Sequence, residues 1–154
     1  MKRYLVFFGA LIVCLCLQAQ ELLPVSWTAY GLTFKAPKGI LIEEDTEDTF
    51  LLNNNRFYIV LQILESDDRN EGGVEELLKG LASDEGVEDV STIKEFDLPQ
   101  FRVSYLMGHI DEEKCCCACL TTKDAGNVFY ISMAYHNVED AIPLKMLESF
   151  VMEE

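Results

Sequence analysis

Positive charge is what this sequence has least of. Its 154 residues carry 12 Lys and Arg against 27 Asp and Glu, a formal charge of −15. So acidic a chain is excluded as a generic binder of phosphate backbones, which requires a basic surface. Long apolar runs are also scarce. Tyr4 to Leu17 is a run of 14 residues, shorter than the about 20 needed to span a bilayer. Histidine occurs only as His109 and His136 and tryptophan only as Trp27. The sequence contains no G-x-S-x-G, C-G-x-C-W, H-E-x-x-H or phosphate-binding glycine loop, so no common catalytic motif is available. With 49% apolar and 25% charged residues, the chain is neither disordered nor a bulk membrane protein. Its length suits one domain.

The first twenty residues read as an address. Lys2 and Arg3 precede the apolar run, and Gln18-Ala19-Gln20 closes it with a small residue, the layout of a secretory signal peptide. A lipoprotein alternative would cut before Cys14 or Cys16, but the bulky Val13 and Leu15 precede them, and both thiols read as apolar filler. Residues 1–20 are therefore expected to be a signal peptide and 21–154 a single α+β domain. Without Lys2 and Arg3, 10 basic residues face 27 acidic ones, a formal charge of −17. A domain of that size buries about two-thirds of its unfolded surface and needs no staples.

Along the mature chain, Gly31 to Lys35 predicts a strand closed by the Pro37-Lys38-Gly39 turn. Ile40–Ile42 and Thr49–Leu52 predict two more strands around the acidic run Glu43-Glu44-Asp45 with Glu47-Asp48. Asn53–Asn55 reads as a turn. Arg56 to Leu64 is apolar almost without alternation, which predicts a central strand covered on both faces. Val74, Leu77, Leu78 and Leu81 fall at i, i+3, i+4 and i+7, one stripe of an amphipathic helix ending before Gly86. Ser91–Phe96, Phe101–Met107, Cys115–Leu120 and Val128–Tyr135 predict four further strands, the last two joined by a Gly/Asn turn. A final helix carries Pro143, Met146, Leu147 and Phe150 on one face, with Asp140 placed to cap it.

Three segments carry a resemblance. Phe34-Lys35-Ala36-Pro37-Lys38-Gly39, Gly126 to Ser132, and Leu147-Glu148-Ser149-Phe150 resemble the PsbP-like family over most of residues 28–152. That family includes an extrinsic photosystem subunit, a Ran-binding nucleotide-release factor and small exported bacterial proteins. The resemblance implies an α/β/α sandwich, mostly antiparallel sheet flanked by helices, that acts as a binding or assembly module without a shared catalytic set. Fold analogy does not set function.

Cys115-Cys116-Cys117-Ala118-Cys119 is the most unusual stretch. In an oxidising compartment it invites a disulfide or metal reading, with Cys115, Cys117 and Cys119 as the thiol candidates. Strand geometry opposes both, because side chains at i and i+2 lie about 6.5–7 Å apart. A disulfide requires Cβ atoms about 3.5–4.5 Å apart, and tetrahedral zinc requires sulfurs about 4 Å apart. The competing reading packs those three thiols on one sheet face and Cys116 on the other. His109 and His136 stand in no metal-ligand spacing and read as surface residues. Trp27 reads as a packing anchor.

The acidic runs, including Asp67-Asp68 with Glu71 and Asp111-Glu112-Glu113, read as solvated turns. The alternative for them is binding of a cation or a basic partner. The loop Asp67–Gly72 fails the EF-hand pattern in both frames, which leaves a looser oxygen-ligand site as its only calcium reading.

The expectation is an exported, periplasmic or secreted, non-catalytic module that holds no cofactor or metal. Its partner would be a protein or small ligand, a cationic one on the sharper reading of the acidic runs, and not a nucleic acid, and no stable membrane span is expected after signal cleavage. The alternative is a metal-binding or redox protein using the Cys115–Cys119 strand. Mass spectrometry of protein from the cell envelope or medium is predicted to show a start at Gln20 or Glu21. Intact Met1, or an acylated start at Cys14 or Cys16, would contradict soluble export.

Overall fold

The computed structural model describes residues 21–64, 73–124 and 126–153. The acidic run Asp67–Glu71 and the expected signal peptide lie outside these residues. The strands are β1 (Leu22–Trp27), β2 (Leu32–Pro37), β3 (Leu41–Asp45), β4 (Thr49–Asn53), β5 (Phe57–Leu64), β6 (Lys94–Asp97), β7 (Phe101–Ile110), β8 (Glu113–Thr122), β9 (Val128–Tyr135) and β10 (Val151–Met152). Helix α1 (Gly73–Asp84) follows β5, and α2 (Ala141–Glu148) follows β9.

Seven strands form one antiparallel sheet in the order β3-β4-β5-β9-β8-β7-β6, and β1-β2-β10 form a second. One face of the large sheet meets the small sheet and α2 across a core that includes Trp27, Phe34, Phe50, Ile131 and Phe150. The other face meets α1 across a second core of Leu77, Leu78, Leu106, Cys115, Cys117 and Cys119. The fold is mostly antiparallel sheet between helices, with the small sheet sharing one outer layer.

Local sequence accounts for most of these elements. In α1, Leu77, Leu78 and Ala82 are buried and Glu75 and Glu76 occupy the first turn, where carboxylates complement the helix dipole. The β7–β8–β9 meander is continuous over long registers, with Leu106 opposite Cys117 and Cys117 opposite Ser132.

Three expectations are corrected. Strand β5 is third in the sheet and is not covered on both faces: Phe57, Ile59 and Leu61 are buried while Tyr58 and Gln62 are exposed. Its second face runs out from under α1, which packs over β7, β8 and β9. Glu43, Glu44 and Asp45 belong to β3 itself, and the turn that follows is Thr46–Asp48. Asp140 does not cap α2, because its own backbone is helical (φ −59°, ψ −23°). Its Oδ1 accepts instead from the Tyr135 hydroxyl at 2.9 Å and Lys114 Nζ at 3.3 Å.

Strands β1 and β10 are additional to the sequence reading. Pro24 within β1 is tolerated because β1 is an edge strand whose one strand partner among the described residues is β2. β10 is two residues long, and the Gln100 side-chain amide bonds both the N–H and the C=O of Met152, at 2.8 and 3.1 Å.

Leu78 is fully buried beneath α1 and Glu76 is exposed. Leu78→Asp is expected to cost more than about 3 kcal/mol by burying a charge, a fall of about 10 °C in the unfolding midpoint. Glu76→Ala should change the midpoint little. Equal, small effects would mean the buried face of α1 is wrongly assigned.

Candidate functional site

Strand β8 is buried on both sides along Cys115 to Leu120. Cys115, Cys117 and Cys119 point to α1, and Cys116, Ala118 and Leu120 point to the opposite core. All four cysteines are free and fully buried. Desolvation is the main force on each, since burial disfavours the thiolate. It pushes Cys115 and Cys119 up to about 12 and Cys117 to about 11, and raises Cys116 further. The nucleophilic thiolate is thus suppressed at neutral pH.

Beside Cys117, Ser132 donates its hydroxyl to Glu85 at 2.6 Å. The Tyr130 hydroxyl is buried without a hydrogen bond of ordinary geometry, and burial raises its pKa as well, keeping it protonated. Among the described residues, no three or more His, Cys, Asp or Glu side chains converge as metal ligands.

The histidines lie apart from the thiols' core. His109, near the end of β7, bonds Asp89 Oδ2 through Nε2 at 2.7 Å, and that carboxylate raises its pKa. Asp89 sits in a segment laid along β7 by the Glu88–His109 main-chain pair, at 2.8 and 3.1 Å. The approach is close enough that a Cβ on Gly108 would meet Val87 Cγ1 at 2.5 Å, which explains glycine there. His136 follows β9 and lies 3.9 Å from Glu113.

A cleft of about 330 Å³ opens between the start of β1, the Asn54–Arg56 turn and Ile142, with Lys38 and Glu21 paired at 3.4 Å on its rim. Lys38 and Glu21 compensate each other there, and Arg56 also lines the cleft.

The β3–β4 hairpin presents a different surface. All of β3 is exposed, with Leu41 at 65% and Ile42 at 49%, beside Glu43, Glu44, Asp45, Glu47 and Asp48. The turn after β1 holds this hairpin in place. Trp27 stacks on Phe50 at 6.0 Å and 9° and donates its indole N–H to the Thr46 carbonyl at 2.6 Å. Thr28 donates from its N–H and hydroxyl to the Asp45 carboxylate at 3.3 and 2.9 Å. Tyr30 donates its hydroxyl to the Glu47 carbonyl at 2.6 Å. Trp27 does anchor packing, and it also fixes an acidic hairpin nineteen residues away, a link with no local signal in sequence.

The family model described as dihydro-orotase-like matches residues 4–139. The chain belongs to this family. Membership in the dihydro-orotase-like family describes shared sequence, whereas activity rests on a site. No curated protein matches the sequence. Among solved structures, the Saccharomyces cerevisiae Ran-binding protein Mog1p is similar, with TM-score 0.61 and 10% identity over 86% of this chain and 95% of that one. A point mutant of Mog1 is similar too, with TM-score 0.60 and 12% identity over 86% of this chain and 96% of that one. The fold is thus Mog1/PsbP-like. Among the described residues, no helix is long and apolar enough to cross a membrane.

The buried thiols yield a direct expectation. A thiol-alkylating reagent at neutral pH should react slowly with the native protein and rapidly with all four described cysteines after unfolding without reductant. Because their folded pKa values lie above the ordinary 9.0, their contribution to stability is complete below that value and is lost as pH rises toward about 11–12. Fast native labelling of one thiol would instead mark a low-pKa reactive cysteine.

Proposed function

We propose that the protein is an exported, non-catalytic binding module that engages a cationic protein partner through the β3–β4 hairpin. The observation that carries this reading is the hairpin itself. Glu43, Glu44, Asp45, Glu47 and Asp48 stand exposed beside Leu41 and Ile42 at the end of the large sheet. Trp27, Thr28 and Tyr30 hold the hairpin's main chain and the Asp45 carboxylate. Preorganisation lowers the ordering cost of binding, and a field of one sign steers an oppositely charged partner.

Export is supported by the pattern of Lys2, Arg3 and the Tyr4–Leu17 run. The description of Mog1p as Ran-binding supports protein recognition by this fold only as an analogy. Burial and raised thiol pKa values give no support to metal or redox work by Cys115, Cys117 and Cys119.

The test compares the immobilised chain with a Glu43→Lys, Glu44→Lys, Glu47→Lys variant for retention of envelope proteins. All three positions are exposed, so the variant should keep its unfolding midpoint within about 2 °C. The parent is expected to retain a basic protein that the variant loses, with retention falling as salt rises. Equal retention by both chains, or loss only in Cys117→Ala, would overturn this reading.

A further inference from the structure

Strand β3 ends the seven-stranded sheet, and β4 is its one strand partner among the described residues. The outer side of such a strand presents main-chain N–H and C=O groups to any extended chain that can lie alongside. Two features limit what can do so. The register shifts between Ile42 and Glu44, which leaves Glu43 without a partner in β4, and a bulge of this kind bends an edge. The carboxylates set the second limit. Two copies of β3 laid edge to edge would bring Glu43, Glu44 and Asp45 near their own counterparts, and like charges facing each other across strands are destabilising. A second copy of this chain is disfavoured, and a strand bearing Lys or Arg is favoured.

The register assigns the β3 side chains to faces. Ile42 pairs with Leu52, and Asp45 with Phe50, both of which point to the core beneath the small sheet. Leu41 pairs with Asn53 and Glu44 with Leu51, on the α1 side of the sheet. There Leu41 and Tyr58 are 65% and 49% exposed, on either side of Asn53, with Leu51 and Val60 half-buried in the neighbouring row. Helix α1 lies over β7, β8 and β9 and leaves this end of the face open. An added strand therefore meets an apolar side chain on each face at one end of β3, Leu41 and Ile42, and carboxylates at the other.

We propose that β3 is extended by an eighth strand supplied by a cationic protein partner. Its apolar side chains would lie beside Leu41 and Ile42, and its Lys or Arg side chains beside Glu43 and Glu44. Asp45 contributes less, because Thr28 already holds its carboxylate. This rests on the binding-module reading above and specifies main-chain recognition as its mode. Main-chain pairing supplies affinity, and charge and apolar spacing supply selectivity.

The probe is a synthetic peptide of about ten residues, the upper range of natural strands, with a run of Val at one end and a run of Lys or Arg at the other. A twin methylated at alternate backbone nitrogens keeps the charge and loses half of its donors. The purified chain is titrated with each while amide hydrogen exchange is followed residue by residue. The unmethylated peptide should slow exchange in Leu41–Asp45 by about tenfold or more, and the methylated twin should bind about tenfold more weakly. Glu44→Lys, at an exposed position, should weaken binding without changing the unfolding midpoint. Equal binding of both peptides, with exchange in β3 unchanged, would overturn strand addition and leave the binding-module reading standing as charge attraction alone. Failure of both peptides to bind would also overturn strand addition, while the envelope retention comparison separately decides the broader reading.

Discussion

The double burial of β8 is the constraint on which the rest of the structure depends. From Cys115 to Leu120 every residue is buried, with alternate side chains entering two different cores. One core holds α1 against the large sheet, and the other holds the small sheet and α2. A strand pressed from both sides must be filled by apolar groups that fit on either face. Cysteine behaves as a small hydrophobe, so Cys115, Cys117 and Cys119 can sit beneath Leu77 and Leu78 while Cys116, beside Met133 of β9, enters the other core. The same burial that makes these thiols good packing groups raises their pKa values. Chemistry and packing pull in opposite directions at this strand, and packing prevails.

The core beneath the small sheet reaches outward to the acidic hairpin through Trp27. Its ring is sandwiched among Phe50, Tyr30 and Phe129, and its one polar atom is spent on the Thr46 carbonyl. The turns after β1 and β3 are thereby locked together by contacts from Trp27, Thr28 and Tyr30. An acidic segment that would otherwise repel itself is kept in a fixed conformation at the sheet edge. The chain's negative charge thus acquires a defined geometry, and this connects core packing to the proposed recognition of a cationic partner.

Much of this was legible in sequence wherever the determining contacts are local. The α1 stripe and the β7–β8–β9 meander follow from helical and strand periodicity, and the opposed placement of Cys116 follows from the two-residue repeat of a strand. Long-range pairing was not legible. β10 is two residues whose main chain is held by Gln100, and β1 tolerates Pro24 because of its place at an edge. The acids of β3 read as a turn because nothing local says that they pair with β4. Their importance arises from sheet order, which is a property of the whole chain. Asp140 shows the converse, a residue of the right type for a cap whose side chain is drawn to Tyr135 and Lys114.

The central claim is that the thiol strand builds the protein and the β3 edge does its work. The affinity of a chain with Cys115→Ala, Cys116→Val, Cys117→Ala and Cys119→Ala for the Val/Lys peptide separates the two most directly. The substitutions should lower the unfolding midpoint through lost packing and leave the peptide's dissociation constant within about twofold of the parent's, an effect under about 0.5 kcal/mol. Loss of binding by a chain that lacks these four cysteines and still folds would contradict the account and return function to β8.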